Sequence, residues 1–301
     1  MRRRGVGLFV GFALALTSCG PPGRAAPISF ADLLARPRPS STRQIAYGPD
    51  PMQFGQLWSP AGKGPHPVVI MIHGGCWLAS LPGVELMAYI SEDLRRRGVA
   101  VWNIEYRRVG GAGGGYPGTF QDVGRGADYL RVIAKTEPLD PRHVVIVGHS
   151  AGGQLALWTA VRRRLPKRDP LFASAPLTVS GVVTLAGIND LAAYRAGGPD
   201  ACGGPDTVDQ LVGADARRGQ DVYADTSPSA LVPIGVKQAV ISGVLDPIVP
   251  ARFGDAYAAK ARAAGDAVQT LDIDGAGHFE LIDPTSQAWR RIEPVIEEML
   301  K

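Results

Sequence analysis

Unbroken apolar runs alternate with helical patterns along most of the chain. Residues 68–72 form a run of five apolar side chains without alternation, which is the pattern of a strand covered on both faces. Helical patterns separate such runs, and this order predicts a mostly parallel sheet with helices on both faces. The predicted strands are 45–47, 56–58, 68–72, 99–103, 143–147, 180–186, 237–242 and 268–273. The predicted helices are 84–97, 120–135, 151–164, 251–264 and 284–300.

The interval 187–236 interrupts this order, because it places 50 residues between two predicted strands where a crossover needs far fewer. We interpret it as a small cap insertion. Its glycine-rich stretch at 197–205 is expected to border a substrate pocket. Aspartate and arginine are spread through the interval without a long apolar run, and this composition predicts a polar cap over a modest pocket.

The first residues have the pattern of an export signal. Three arginines at 2–4 precede fourteen uncharged residues at 5–18, fewer than the ~20 apolar residues that a membrane-spanning helix needs. We therefore predict a signal peptide over 1–18.

Residues 16–19, Leu-Thr-Ser-Cys, resemble a bacterial lipobox, in which Cys19 is lipidated and becomes the mature N-terminus. An ordinary secretory signal is the alternative. The Gly-Pro-Pro-Gly stretch that follows favours the lipoprotein, because it suits a flexible tether. The predicted organisation is a lipidated tether over 19–39 and one domain over 40–301, exported and anchored to the bacterial cell envelope.

Charge and cysteine content change this picture little. Outside the predicted signal peptide the chain has 29 basic and 28 acidic residues, a balance that does not indicate a nucleic acid partner. The basic cluster at 162–168 lies at the end of a predicted helix, so we interpret it as a solvated helix terminus. With Cys19 lipidated, Cys76 and Cys202 remain, and the domain is not expected to be a disulfide scaffold.

The sequence Gly-His-Ser-Ala-Gly at 148–152 lies directly between a predicted strand and a predicted helix. This is the context of a nucleophile elbow, a strained turn that needs small residues on both sides of its serine. The turn exposes the serine hydroxyl at the edge of the sheet and points the helix N-terminus at a developing oxyanion. Ser150 is the predicted nucleophile.

Five histidines are available as the general base for this serine. His66 lies in a loop beside proline, and His143 opens a predicted strand far from its carboxyl end. His149 lies inside the elbow and cannot turn back to the adjacent hydroxyl, while His73 is assigned below to another task. His278 follows the last predicted strand, at the sheet edge where the elbow emerges, and is the predicted base.

The acid that orients His278 is expected between the serine and the histidine in sequence, at the end of a strand. Asp246 takes this position after the strand 237–242. Asp190 also follows a predicted strand, but we interpret it as the N-cap of a helix that opens the cap insertion.

The sequence His-Gly-Gly-Cys-Trp at 73–77 directly follows the apolar run 68–72. Paired glycines let backbone N–H groups face a pocket, so the amides of Gly75, Cys76 and Ala151 are predicted to form an oxyanion hole. The residues predicted to support this loop are His73, Gly74 and Trp77.

The oxyanion loop, the elbow, Asp246 and His278 together resemble the α/β-hydrolase esterases with an H-G-G-x-W oxyanion loop. Kynurenine formamidases and feruloyl-esterase-like carboxylesterases are the nearer groups, and the hormone-sensitive-lipase group is more distant. The resemblance extends from about Ile28 to the end of the chain, and implies the α/β-hydrolase fold and acyl transfer through a covalent acyl-enzyme. Family-like stretches also occur at 105–108, 117–123 and 155–158.

The predicted function is therefore that of a serine hydrolase that cleaves small carboxylic esters with short acyl or aromatic groups. An arylformamidase, or a binding lipoprotein without catalysis, is the alternative. The sequence requires no metal or cofactor for this chemistry. The expected partners are a small-molecule ester and, through lipidated Cys19, a membrane.

Overall fold

The computed structural model describes residues 26–301, so the predicted signal peptide and Cys19 lie outside the described residues. The strands are β1 (Arg43–Ala46), β2 (Phe54–Trp58), β3 (His66–Ile72), β4 (Ala100–Ile104), β5 (Leu139–His149), β6 (Gly181–Leu185), β7 (Lys237–Gly243) and β8 (Val268–Ile273). The helices are α1 (Phe30–Leu34), α2 (Ala88–Arg96), α3 (Gly118–Ile133), α4 (Ala151–Val161), α5 (Leu191–Gly197), α6 (Pro205–Val212), α7 (Ala251–Ala263) and α8 (Gln287–Met299).

The described strands form one sheet in the order β1-β2-β4-β3-β5-β6-β7-β8. β1, β2 and β4 pair antiparallel, whereas every pairing among β3 to β8 is parallel. The predicted α/β fold with a mostly parallel sheet is confirmed. Because β3, β5, β6, β7 and β8 run in the same direction, the loops that follow them meet at one edge of the sheet.

Burial of apolar strands and one apolar helix forms the centre of the core. The side chains of Val68–Ile72 in β3 are fully buried, as the unbroken apolar run predicts. α4 is buried along its whole length and lies against β5 and β6. A helix that is buried on all sides is stable only inside a domain, so α4 is fixed firmly at the sheet.

Two helices begin three or four residues later than predicted, for reasons that lie in side-chain hydrogen bonds. The predicted helix 84–97 starts as a 3₁₀ turn, Val84–Met87, where Asn103 Nδ2 donates to the Val84 carbonyl at 2.8 Å. The last helix begins at Gln287 because Ser286 Oγ accepts from the Trp289 amide at 2.9 Å and acts as its N-cap.

The interpretation of the basic cluster at 162–168 is wrong for Arg162. Its side chain is buried and donates two hydrogen bonds to the carboxylate of Asp128, at 2.8 and 3.0 Å. A planar guanidinium matches a carboxylate in this way, so Arg162 links the turn that directly follows α4 to α3.

The packed part of the chain starts before residue 40. Ser29 and Asp32 form a capping box at the start of α1, and Leu33 is fully buried against the domain. The end of the predicted tether, from Ala26 onward, is therefore part of the fold. No helix among residues 26–301 has the length and apolar character needed to cross a membrane.

Candidate active site

Ser150 lies at the tight turn between β5 and α4, with φ of +55° and ψ of −123°. Residues other than glycine rarely adopt this backbone conformation. It costs ~1–3 kcal/mol and must be held by the surrounding structure. Two glycines allow it: a Cβ on Gly148 would lie 2.1 Å from the Gly152 oxygen, and one on Gly152 would lie 2.2 Å from the Ile72 oxygen. The structure thus has the predicted elbow geometry.

His278 and Asp246, which follow β8 and β7, form a buried pair. His278 Nδ1 lies 2.6 Å from Asp246 Oδ2, and the other carboxylate oxygen accepts from the amides of Ile248 and Val249 at 2.7 and 2.9 Å. A carboxylate held in this way fixes the imidazole with its proton on Nδ1 and leaves Nε2 as the basic nitrogen.

Ser150 and His278 line the same cavity, which has a volume of about 200 Å³. Within residues 26–301 the Ser150 hydroxyl makes no hydrogen bond to the His278 ring. Catalytic hydrogen bonds are often long or poorly aligned before substrate binds, and His278 stays the predicted base for Ser150.

The loop 73–77 turns sharply at the edge of this cavity. Gly75, Cys76 and Trp77 have φ values of +94°, +51° and +57°, and the first two line the cavity. In the described chain the amides of Gly75, Cys76 and Ala151 donate to no protein acceptor. Free N–H groups beside a helix N-terminus stabilise negative charge, so these amides suit the predicted oxyanion hole.

A buried polar cluster supports the loop from below. His73 Nδ1 lies 2.8 Å from the Gly74 oxygen and Nε2 lies 3.0 Å from Glu105 Oε1, so both ring nitrogens have a partner. Burial alone would raise the pKa of Glu105, but His73 and Arg108 hold it below its ordinary value. Tyr106 stacks on the His73 ring and donates to its carbonyl at 2.9 Å.

Trp77 fixes the other end of the loop. Its indole Nε1 donates to Gln154 on α4 at 3.1 Å, and Gln154 Nε2 donates to the Thr226 carbonyl at 2.8 Å. This chain of hydrogen bonds connects the loop with both α4 and the cap insertion.

Cys76 and Cys202 form a disulfide, which the sequence analysis did not predict. The bond joins the oxyanion loop to a 3₁₀ turn of the cap, Asp200–Cys202, across 126 residues. Two cysteines left after Cys19 were the available signal, but their count says nothing about their distance in the fold. Cys76 is therefore an anchor of the cap as well as a backbone donor.

The cavity has mostly apolar walls, although the cap insertion is polar in sequence. Several acidic side chains of the cap form ion pairs with arginine, as in the Arg195–Asp209 and Arg217–Asp225 pairs. Of the described cap residues, Ala201 lines the cavity. The apolar side chains around it are Phe30, Leu81, Leu86, Ile248 and Phe279.

His149 has a supporting contact that sequence reasoning missed. Its Nε2 donates to the His278 carbonyl at 3.1 Å, and the two ring centroids are 4.5 Å apart. Burial, and then the charge of His278, lower the pKa of His149 well below its ordinary value. A neutral His149 therefore positions the backbone of the predicted base.

Asp190, the other candidate for the orienting acid, makes no hydrogen bond to His278 and has different partners. Its side chain accepts from the Ala193 amide at 3.0 Å and caps α5, which confirms the N-cap interpretation. Its other oxygen accepts from the Ser229 hydroxyl at 2.6 Å. In residues 26–301 no cluster of three or more His, Cys, Asp or Glu side chains has the arrangement of a metal site.

Comparisons with known proteins identify a family and agree with the fold. The sequence model of the BD-FAE family matches residues 56–260, and no curated protein matches the chain.

A truncated carbohydrate esterase from gut microbiota has a TM-score of 0.70 at 22% identity over 87% of this chain and 97% of its own. Esterase B from Lactobacillus rhamnosis has a TM-score of 0.73 at 18% identity over 90% of each chain. A thermophilic esterase from Thermogutta terrifontis, with propionate bound, has a TM-score of 0.67 at 19% identity over 86% of this chain and 93% of its own. These structures share the fold.

Replacing Asp246 by Asn should lower kcat by about 10⁴, because an amide misorients the His278 imidazole. The matched variant Asp190→Asn should retain turnover within about tenfold, since it alters only the α5 cap and the Ser229 contact, and Asn caps helices about as well as Asp. Both are measured with p-nitrophenyl butyrate. The opposite ranking would assign the orienting role to Asp190.

The double variant Cys76→Ala and Cys202→Ala should lower the free energy of unfolding by about 3 kcal/mol, because the disulfide restricts a long loop in the unfolded chain. Urea denaturation measures the change. Wild-type protein kept reduced serves as the control and should lose a similar amount. Equal denaturation midpoints for oxidised and reduced wild type would contradict the disulfide.

Proposed function

The chain belongs to the BD-FAE family, and from that premise we propose that it is a serine hydrolase that cleaves carboxylic esters. One observation carries the proposal. His278, which is hydrogen-bonded to Asp246 behind it, lines a small cavity together with Ser150 and with Gly75 and Cys76 of the loop 73–77. Binding alone does not require a nucleophile, a base, an acid and oxyanion donors in one place.

In the proposed reaction His278 Nε2 accepts the proton of the Ser150 hydroxyl as Oγ attacks the ester carbonyl. The oxyanion receives hydrogen bonds from the amides of Gly75, Cys76 and Ala151. His278 then gives its proton to the departing alcohol, which leaves an acyl-enzyme on Ser150. Water attacks this ester in the same way, and the acid is released with the serine restored. Asp246, which faces Nδ1, orients the ring and stabilises the imidazolium that forms.

The size and lining of the cavity support a small ester as substrate. Its volume of about 200 Å³ is below the ~300–1,000 Å³ of most drug-sized sites, and its walls are apolar. A short acyl chain or a small aromatic group fits such a space. The Thermogutta terrifontis esterase of the same fold holds propionate, a short acid.

The Ser150→Ala variant tests the nucleophile. We expect kcat for p-nitrophenyl butyrate to fall on the order of 10⁶-fold, since the three catalytic groups act as a unit. Loss of labelling by a fluorophosphonate probe is the second measurement, and Asp190→Asn should keep its labelling. Turnover near that of the wild type in Ser150→Ala would refute the mechanism.

We also propose that the protein is exported and anchored by Cys19, with 1–18 as the signal peptide. The disulfide between Cys76 and Cys202 supports export, because such bonds persist mainly in oxidising compartments. Two or more acyl chains on the mature N-terminus would hold the domain at a membrane.

The Cys19→Ser variant should fail to incorporate labelled palmitate and should leave the membrane fraction, because acyl chains rather than the folded surface hold the protein there. Cell fractionation and radiolabelling measure both effects. A variant that still sediments with membranes would mean that a protein surface provides the attachment.

A further inference from the structure

One residue near the start of the described chain lines the cavity of the candidate active site. Phe30, at the start of α1, lines the cavity together with Ser150 and His278. Its side chain is half-buried, so the ring lies between the cavity and solvent. Phe30 precedes the residues matched by the family model, which start at 56.

One carboxylate holds this segment against the loop that carries the predicted base. Glu280 Oε1 accepts from the Ile28 amide, while Oε2 accepts from the Gly277 amide at 2.9 Å. Gly277 directly precedes His278. Pro27 packs so closely on Gly277 that an added Cβ there would lie 2.7 Å from the proline ring.

Aromatic contacts continue from Phe30 to the base. The rings of Phe30 and Phe279 are 5.5 Å apart and tilted by 53°, and Phe279 meets His278 edge to face at 5.1 Å. Such pairs are favourable beyond the area they bury. Arg36, which pairs with Asp283, fixes the far end of the segment. The position of the Phe30 ring is therefore held from both sides.

We propose that Phe30 is a specificity-determining residue, whose ring closes the apolar end of the cavity and limits the length of the ester that it accepts. This inference rests on the proposed function and names the substrate range of the same site. The ring occupies space that a longer alkyl chain would need. Because each methylene that fits or fails to fit an apolar pocket changes kcat/KM by ~10-fold or more, removing the ring should change chain-length preference strongly.

The experiment compares Phe30→Ala, Phe30→Trp and the control Leu34→Ala with the wild type. Leu34 lies on the same helix and packs against the core without lining the cavity. One substrate series varies the acyl group of p-nitrophenyl esters from acetyl to octanoyl, and a second varies the alcohol of alkyl acetates from ethyl to octyl. The measured quantity is the ratio of kcat/KM for the eight-carbon member to that for the short member.

In one of the two series the part of the ester that varies in length faces the Phe30 ring. We expect the wild type to prefer the short members of that series. In that series Phe30→Ala should raise the ratio at least about tenfold, Phe30→Trp should lower it, and Leu34→Ala should leave it within about twofold. The series that responds identifies the part of the ester that faces the ring. Opposite effects of Phe30→Ala and Phe30→Trp exclude a general loosening of the cavity walls as the cause. If Phe30→Ala does not fold, the Phe30→Trp result decides the question.

Unchanged ratios for Phe30→Ala in both series, or an equal rise in Leu34→Ala, would overturn the inference while ester hydrolysis persists. A rise in Phe30→Trp would overturn it as well. Hydrolysis that survives in Ser150→Ala, or no hydrolysis by the wild type of any ester in either series, would instead overturn the proposed function, so the two failures are distinguishable.

Discussion

The close approach of α4 to the ends of β3 and β5 is the constraint on which the site depends. Gly152 lies so near the backbone of Ile72 and His73 that no side chain fits there. A Cβ added to Gly152 would lie 2.2 Å from the Ile72 oxygen and 2.4 Å from the His73 oxygen. This contact brings the serine turn and the loop 73–77 together, because both begin at strand ends that Gly152 touches. The strained φ of Ser150 is tolerated because the buried helix α4 cannot move away.

Local motifs explain why much of this arrangement could be predicted from sequence. Strained turns and amide-lined loops need glycine at fixed positions, so the stretches 73–77 and 148–152 carry their geometry in their composition. The chain direction of a parallel sheet then places Asp246 and His278 at the same edge. The structure brings these residues together, and their catalytic roles stay predictions for the variants to decide.

Contacts between distant segments could not be predicted, because tertiary packing alone sets their distances. The disulfide of Cys76 and Cys202 joins residues 126 positions apart, and no local pattern marks either one. Arg162 lies in a run of basic residues, yet it is buried because Asp128 on another helix faces it. The cap is polar in sequence, but which of its residues faces the cavity depends on how its turns fold.

The base loop shows how these distant contacts add to the local motif. Asp246 orients the ring of His278, while His149 fixes its carbonyl and Glu280 fixes the preceding amide. Loops are the mobile part of a fold, and a base must stay within hydrogen-bond reach of its nucleophile for proton transfer. The contacts on the His278 ring and on the backbone at both sides of it hold the base in place, although His278 lies in a loop and not in a strand. The first described segment adds to the same loop through Glu280 and Phe279, so substrate range and base position depend on one set of contacts.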